Sequence, residues 1–134
     1  MRARKRRCVL RKRRLPKLGI KLRELGFTTY AAYLNSPHWQ ELRLNWKPRK
    51  TLNGIPVCEF CLAQVRLHLH HMTYKHLGAE PEGDLVQICK SCHDSVHERF
   101  QWYGGRLSRA TITIRQKNRN KRHRLSATHE YLCT

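Results

Sequence analysis

The sequence predicts a small α+β domain, with short helices leading into it and basic arms on either side. Three observations predict this. Two CxxC pairs, Cys58/Cys61 and Cys89/Cys92, are separated by 27 residues. Between them Val65, Leu67 and Leu69 alternate with Arg66, His68 and His70, the period of a half-buried strand. Directly after the second pair, His93 and His97 stand four apart, on one face of a helix expected over residues 90 to about 100. At 134 residues the chain suffices for one small domain plus arms, and a domain of that size often needs a metal to supplement its core.

Residues 1–26 carry twelve Lys/Arg against the single acid Glu24. That composition predicts a solvated basic arm that tracks phosphate without sequence choice. Residues 27–56 form a helical lead-in and connector. Thr28 or Thr29 caps a short helix through Leu34, with Tyr30, Tyr33 and Leu34 as its apolar stripe. Ser36 before Pro37 starts a second helix to about Trp46, with Trp39, Leu42 and Trp46 on its core face. Lys47-Pro48-Arg49-Lys50 and Asn53-Gly54 then read as a basic, turn-rich connector.

Residues 57–100 are the Cys- and His-rich centre. It has the strand already described, a Gly/Pro-bearing ordered loop over residues 72–84, a short buried strand at Leu85, Val86 and Ile88, and the histidine-bearing helix. Gly104-Gly105 ends that helix. Residues 101–134 read as a second basic arm holding one β-prone run, Thr111-Ile112-Thr113-Ile114. Net charge is +14 over residues 1–56, −2 over 57–100 and +7 over 101–134. A near-neutral centre between basic flanks suits a polyanion brought to a metal, and nucleic acid is the obvious one.

Two CxxC knuckles can close a four-sulfur tetrahedral zinc site, Cys58, Cys61, Cys89 and Cys92, with no position open for water. Such a zinc is structural and supplies folding free energy. Cys8 and Cys133 fit neither metal site and read as free thiols. His93 and His97 present two imidazoles to one further ion, and one histidine from the strand, His70 or His71, completes a three-nitrogen set. Neighbours on a strand point to opposite faces, so the other histidine stands off the metal. There an imidazole near its ordinary pKa suits a general base.

The run LHLHHMTYKHLGAEPEGDLVQICKSCHDSVH, with the upstream YAAYLNSPHWQELR, resembles the HNH, or ββα-metal, endonucleases, in the branch with a four-cysteine zinc. The resemblance covers residues 30 to about 100. It implies a ββα-metal core, His70 as the third ligand beside His93 and His97, and His71 as the base that activates water against a phosphodiester. The position that gives the family its middle letter is Asp84, where many members carry Asn. For Asp84 the resemblance leaves two roles, a brace for the base or an acidic ligand. It further implies hydrolysis with a single catalytic divalent ion (Mg²⁺, Mn²⁺, Ni²⁺ or Zn²⁺) and products with 5′ phosphate and 3′ hydroxyl ends.

The expected function is therefore a metal-dependent endonuclease that nicks or cuts DNA, most naturally double-stranded. Arg66, His68, Tyr74 and Lys75 are its candidate nucleic-acid contacts. The alternative is a zinc-binding nucleic-acid-binding protein, for DNA or RNA, that keeps this fold without cleavage. No run approaches the length of an apolar membrane span and no signal-peptide core follows the start. The expectation is a reducing, cytoplasmic setting, no membrane partner, and a monomer or weak dimer.

Overall fold

A computed structural model of the chain describes residues 16–130, with side chains over 18–122. It is a mixed α+β protein of five α-helices and two small antiparallel sheets among the described residues. Helix α1 (Pro16–Glu24) precedes α2 (Tyr30–Leu34) and α3 (Pro37–Asn45). The Thr29 hydroxyl accepts the Ala32 N–H at the start of α2, and Ser36 accepts the Trp39 N–H at 3.3 Å ahead of Pro37. Strands β1 (Thr51–Leu52) and β2 (Ile55–Pro56) form a hairpin. Next come β3 (Leu67–His71), a 3₁₀ turn at Glu82–Asp84, β4 (Leu85–Cys89), α4 (Lys90–Tyr103) and α5 (Leu107–Glu130).

Strands β3 and β4 pair antiparallel from Leu67↔Cys89 to His71↔Leu85. Cys89 ends β4 and caps α4, its sulfur accepting the Cys92 N–H, so strand becomes helix with no loop between. The core lies on both faces of this sheet. One side gathers Phe60, Val86, Ile88, Val96 and Leu107 around the cysteines. The other gathers Leu22, Tyr33, Trp39, Leu77 and Leu85.

Four expectations change. The strand begins at Leu67, leaving Val65 exposed. The connector holds the β1–β2 hairpin, because Asn53 and Gly54 both adopt positive φ (52° and 76°), the geometry of a tight two-residue turn. Within the basic arm, Pro16–Glu24 is helical and buries Leu22; residues 1–15 and 131–134, with Cys8 and Cys133, lie outside the described residues. The largest change is α5, a 24-residue helix across the expected C-terminal arm. Leu107, Ala110, Thr111 and Ile114 recur at i, i+3, i+4 and i+7, and all four are buried. A β-branched residue in a helix costs under about 1 kcal/mol, whereas burying one Leu or Ile side chain contributes about 1.5–3 kcal/mol. Packing therefore outweighs the β propensity of the Thr-Ile repeat. No helix among the described residues is long and apolar enough to cross a membrane.

Candidate functional site

The four cysteines converge as their spacing predicts. Their sulfurs all lie within 4.8 Å of one another, and Cys61 Sγ is 3.7 Å from Cys89 Sγ. Four sulfurs about 2.3 Å from a tetrahedral zinc are separated by about 3.8 Å, so the cluster fits that ion and can hold it. The local chain prepares it. Cys58 N–H donates to the Ala63 carbonyl and Leu62 N–H to that of Cys58, a knuckle that turns through Leu62 at φ 64°. The hydrogen bond from Cys92 lowers the Cys58 thiol and pushes up that of Cys92 itself. All four are free thiols. Glu59, inside the knuckle, accepts from Arg49 Nη2 at 3.0 Å and from the Gln87 N–H at 2.9 Å. Arg49 also donates to the Leu85 carbonyl at 2.6 Å. The basic connector thus clamps the knuckle to β4, a role its composition concealed.

The second cluster is His70, His93 and His97, with one ring nitrogen of each within 4.8 Å of the others. Strand β3 supplies the first and successive turns of α4 the other two. Burial, then the neighbouring His93, His97 and His71, lowers His70 to about 3. Burial first also lowers His93 and His97. All three are therefore neutral near pH 7, the state in which imidazole offers a lone pair to a cation. The rings share a cavity of about 480 Å³ with His68, Tyr30 and Arg43 on its walls. His68 lies on the same side of β3, its ring 5.8 Å from that of His93, and its buried Nε2 has no hydrogen-bond partner. Such an orphaned nitrogen beside three neutral imidazoles fits a site that takes a ligand. A fully buried hydroxyl, that of Thr111 on α5, lies 3.3 Å from His70 Nε2 while donating to the Leu107 carbonyl.

His71 points to the other face of the strand. Its side chain is 1 % exposed and stacks on Trp39 with ring centroids 4.4 Å apart. Nε2–H donates to Glu80 Oε1 at 3.0 Å, and the Tyr30 hydroxyl donates to Nδ1 at 2.8 Å. Glu80, also 1 % exposed, takes further hydrogen bonds from the Tyr33 hydroxyl and from His38 Nε2 at 2.8 Å. Burial alone would raise the Glu80 carboxyl; the bonds from Tyr33, His38 and His71 outweigh it and hold it at about 2. Burial lowers His71, opposed by Glu80, and raises Tyr30, which keeps its proton.

Sequence reasoning found the cysteines and histidines but missed Glu80 as the partner of His71, and Tyr30, Arg43 and Thr111 as parts of the site. The Gly-x-Glu spacing after Tyr74 is visible in the sequence; the Thr111 contact had no local signal. Asp84 stands apart from the three histidines: its carboxylate is 2.7 Å from His76 Nδ1, and its carbonyl accepts the Met72 N–H. Of the candidate nucleic-acid contacts, Arg66 and Lys75 are exposed and His68 is half-buried. Tyr74 packs between the two core clusters with its ring 5.2 Å from that of Tyr30.

Comparison of the chain with protein-family models, with curated proteins and with solved structures finds no match. What fold and site define is a class: a small α+β protein with one thiolate cluster and one imidazole cluster, each able to hold a metal.

Proposed function

We propose that the protein is a metal-dependent endonuclease hydrolysing DNA phosphodiesters, built on a ββα-metal core of β3, β4 and α4. The observation that carries this reading is the split of two adjacent histidines. His70 joins His93 and His97 in a neutral three-nitrogen cluster, while His71 is held outside it by Glu80 and Tyr30.

His70, His93 and His97 would hold the catalytic divalent ion, and Cys58, Cys61, Cys89 and Cys92 the structural zinc. The catalytic ion supplies Lewis-acid stabilisation of the phosphate and of the departing oxygen. Glu80 fixes the His71 tautomer, so the lone pair is at Nδ1 and the ring can accept a proton with a carboxylate behind it. Tyr30 lines the cavity and its hydroxyl bonds His71 Nδ1, so it would give its own proton to Nδ1 as it takes one from the attacking water, remaining neutral itself. Arg43 and the exposed Arg66 and Lys75 position the phosphate backbone. Asp84 serves as a brace, tying the loop at His76 to the strand end.

The test is nicking of supercoiled plasmid by zinc-loaded protein supplied with Mg²⁺, Mn²⁺ or Ni²⁺. Activity is expected with at least one ion, and His71→Ala is expected to lose about 100-fold or more while binding the plasmid unchanged. Near wild-type nicking by His71→Ala would remove the base assignment. One observation favours a second reading, a nucleic-acid-binding protein without cleavage: both ring nitrogens of His71 are engaged and the ring is shielded from solvent. Absence of nicking with every ion, with tight binding retained, would establish that reading.

A further inference from the structure

A second concave surface lies on the far side of α4 from the histidines. At 100° per residue, Arg99 and Trp102 are about 140° to 200° around the helix from His97. Between α4 and α5 they border a cleft of about 630 Å³, with Tyr103 and Lys117 on its walls. That volume is within the range of small-molecule sites. Trp102 and Tyr103 are 75 % and 74 % exposed, the most exposed aromatic side chains among the described residues, and neither is needed by the core. The Arg99 guanidinium lies over the Tyr103 ring, 4.8 Å from its centroid.

Of the charged residues that line the cleft, Arg99 and Lys117 are cations and Glu98 is an acid. Helix α5 has no carboxylate from Leu107 to His129, and Arg109, Arg115, Lys117, Arg119 and Lys121 are exposed along it. From these observations we infer that the α4–α5 cleft binds single-stranded nucleic acid, with unpaired bases stacking on Trp102 and Tyr103 and phosphates drawn to Arg99, Lys117 and the exposed cations of α5. Exposed aromatic faces interleaved with cations are the chemistry of sequence-tolerant single-strand recognition. A paired base is already stacked in its duplex and cannot use them. Like charge along α5 opposes a second copy of this chain as occupant. The inference goes beyond the cleavage reading and does not depend on it, since none of these side chains belongs to the histidine cavity.

The experiment is fluorescence anisotropy with labelled oligothymidylate of about 10 nucleotides, within the span of known single-strand sites, and with a matched duplex. The probe is titrated with full-length, zinc-loaded protein without added Mg²⁺. Trp102→Ala/Tyr103→Ala is expected to weaken single-strand binding about tenfold or more and leave duplex binding within about twofold. Trp102→Phe is expected to restore most of the affinity. Lys117→Gln is expected to lower the salt slope by about one. His97→Ala is expected to bind the single strand like wild type whatever its nuclease activity, which separates the two readings. Unchanged single-strand affinity in the double variant, or an equal loss for duplex, would overturn the inference. So would aromatic-dependent self-association, or aromatic-dependent binding to anionic phosphatidylserine vesicles at the affinity seen for the oligonucleotide. Both aromatics are exposed, so unchanged far-UV circular dichroism and zinc content are the folding control.

Discussion

Replacing Glu80 tests the network that holds His71. Glu80→Ala removes the acceptor for Tyr33, His38 and His71 together. The His38 side chain is 44 % exposed and turns to water at little cost. The Tyr33 hydroxyl and His71 Nε2–H belong to residues 1 % and 2 % exposed and have nowhere to go. Leaving each buried donor unpaired costs about 1–3 kcal/mol, so roughly 2–6 kcal/mol in all, offset in part by no longer burying a carboxylate. A net loss of about 3 kcal/mol is expected, which lowers Tm by about 10–15 °C in a domain of this size. Glu80→Gln is milder. Both Tyr33 and His71 use Oε1, where a carboxamide oxygen can stand, so about 1 kcal/mol is expected.

The assay is thermal unfolding of zinc-saturated proteins. The sign of the pH dependence follows from the carboxyl lying below its usual 4.5, at about 2. The difference between wild type and Glu80→Gln is therefore fully present above about pH 4.5 and shrinks as pH falls toward about 2. A Glu80→Ala protein within about 0.5 kcal/mol of wild type, or equal to Glu80→Gln, would refute the reasoning, because surface changes alone stay in that range.

Thr111→Val keeps the side-chain shape and deletes the hydroxyl beside His70. Calorimetric Ni²⁺ titration of the zinc-loaded protein is expected to show about 10-fold weaker binding at the histidine cluster, the usual scale for a group orienting a metal-ligating imidazole, with zinc content unchanged. Gly78 has φ 88°, and a Cβ there would meet Leu25 Cδ2 at 2.8 Å. Gly78→Ala is therefore expected to lose about 1–3 kcal/mol in denaturant unfolding, from backbone strain and overpacking together.

What the sequence revealed follows how local each signal is. The CxxC knuckles, the Ser36-Pro37 start and the His93/His97 spacing depend on residues a few positions apart, and each appears in the structure where its spacing placed it. The opposite facing of His70 and His71 was equally legible, since alternation is a property of any strand. Helix α5 was not legible, because Thr111 to Ile114 favours a strand until Leu107 and Ala110 are known to face a core. Glu80 was hidden for a related reason. Its partners, Tyr33, His38 and His71, are 9 to 47 positions away, in three different elements. The clamp made by Arg49 was masked by neighbours that looked like solvated charge.

The two clusters are joined at one junction, and this makes their dependence directional. Cys89 closes β4, Cys92 lies in the first turn of α4, and His93 is the next residue. Whatever fixes the sulfurs fixes the angle at which α4 brings His93 and His97 against His70. Helix α5 reinforces this from outside, its Asn118 donating to Cys92 Sγ at 3.6 Å and its Thr111 reaching His70. Losing one of the four cysteines should therefore undo both sites, since a zinc held there would supply folding free energy, whereas losing a histidine should undo only its own. Cys92→Ser is expected to lose bound zinc, second-site Ni²⁺ binding and the cooperative thermal transition together. His97→Ala is expected to retain one equivalent of zinc and near wild-type Tm while losing Ni²⁺ binding. Zinc content by atomic absorption, with Ni²⁺ titration on the same samples, distinguishes these outcomes. If His97→Ala lost its zinc, or Cys92→Ser bound Ni²⁺ like wild type, the β4–α4 junction would not be what sets the histidine geometry.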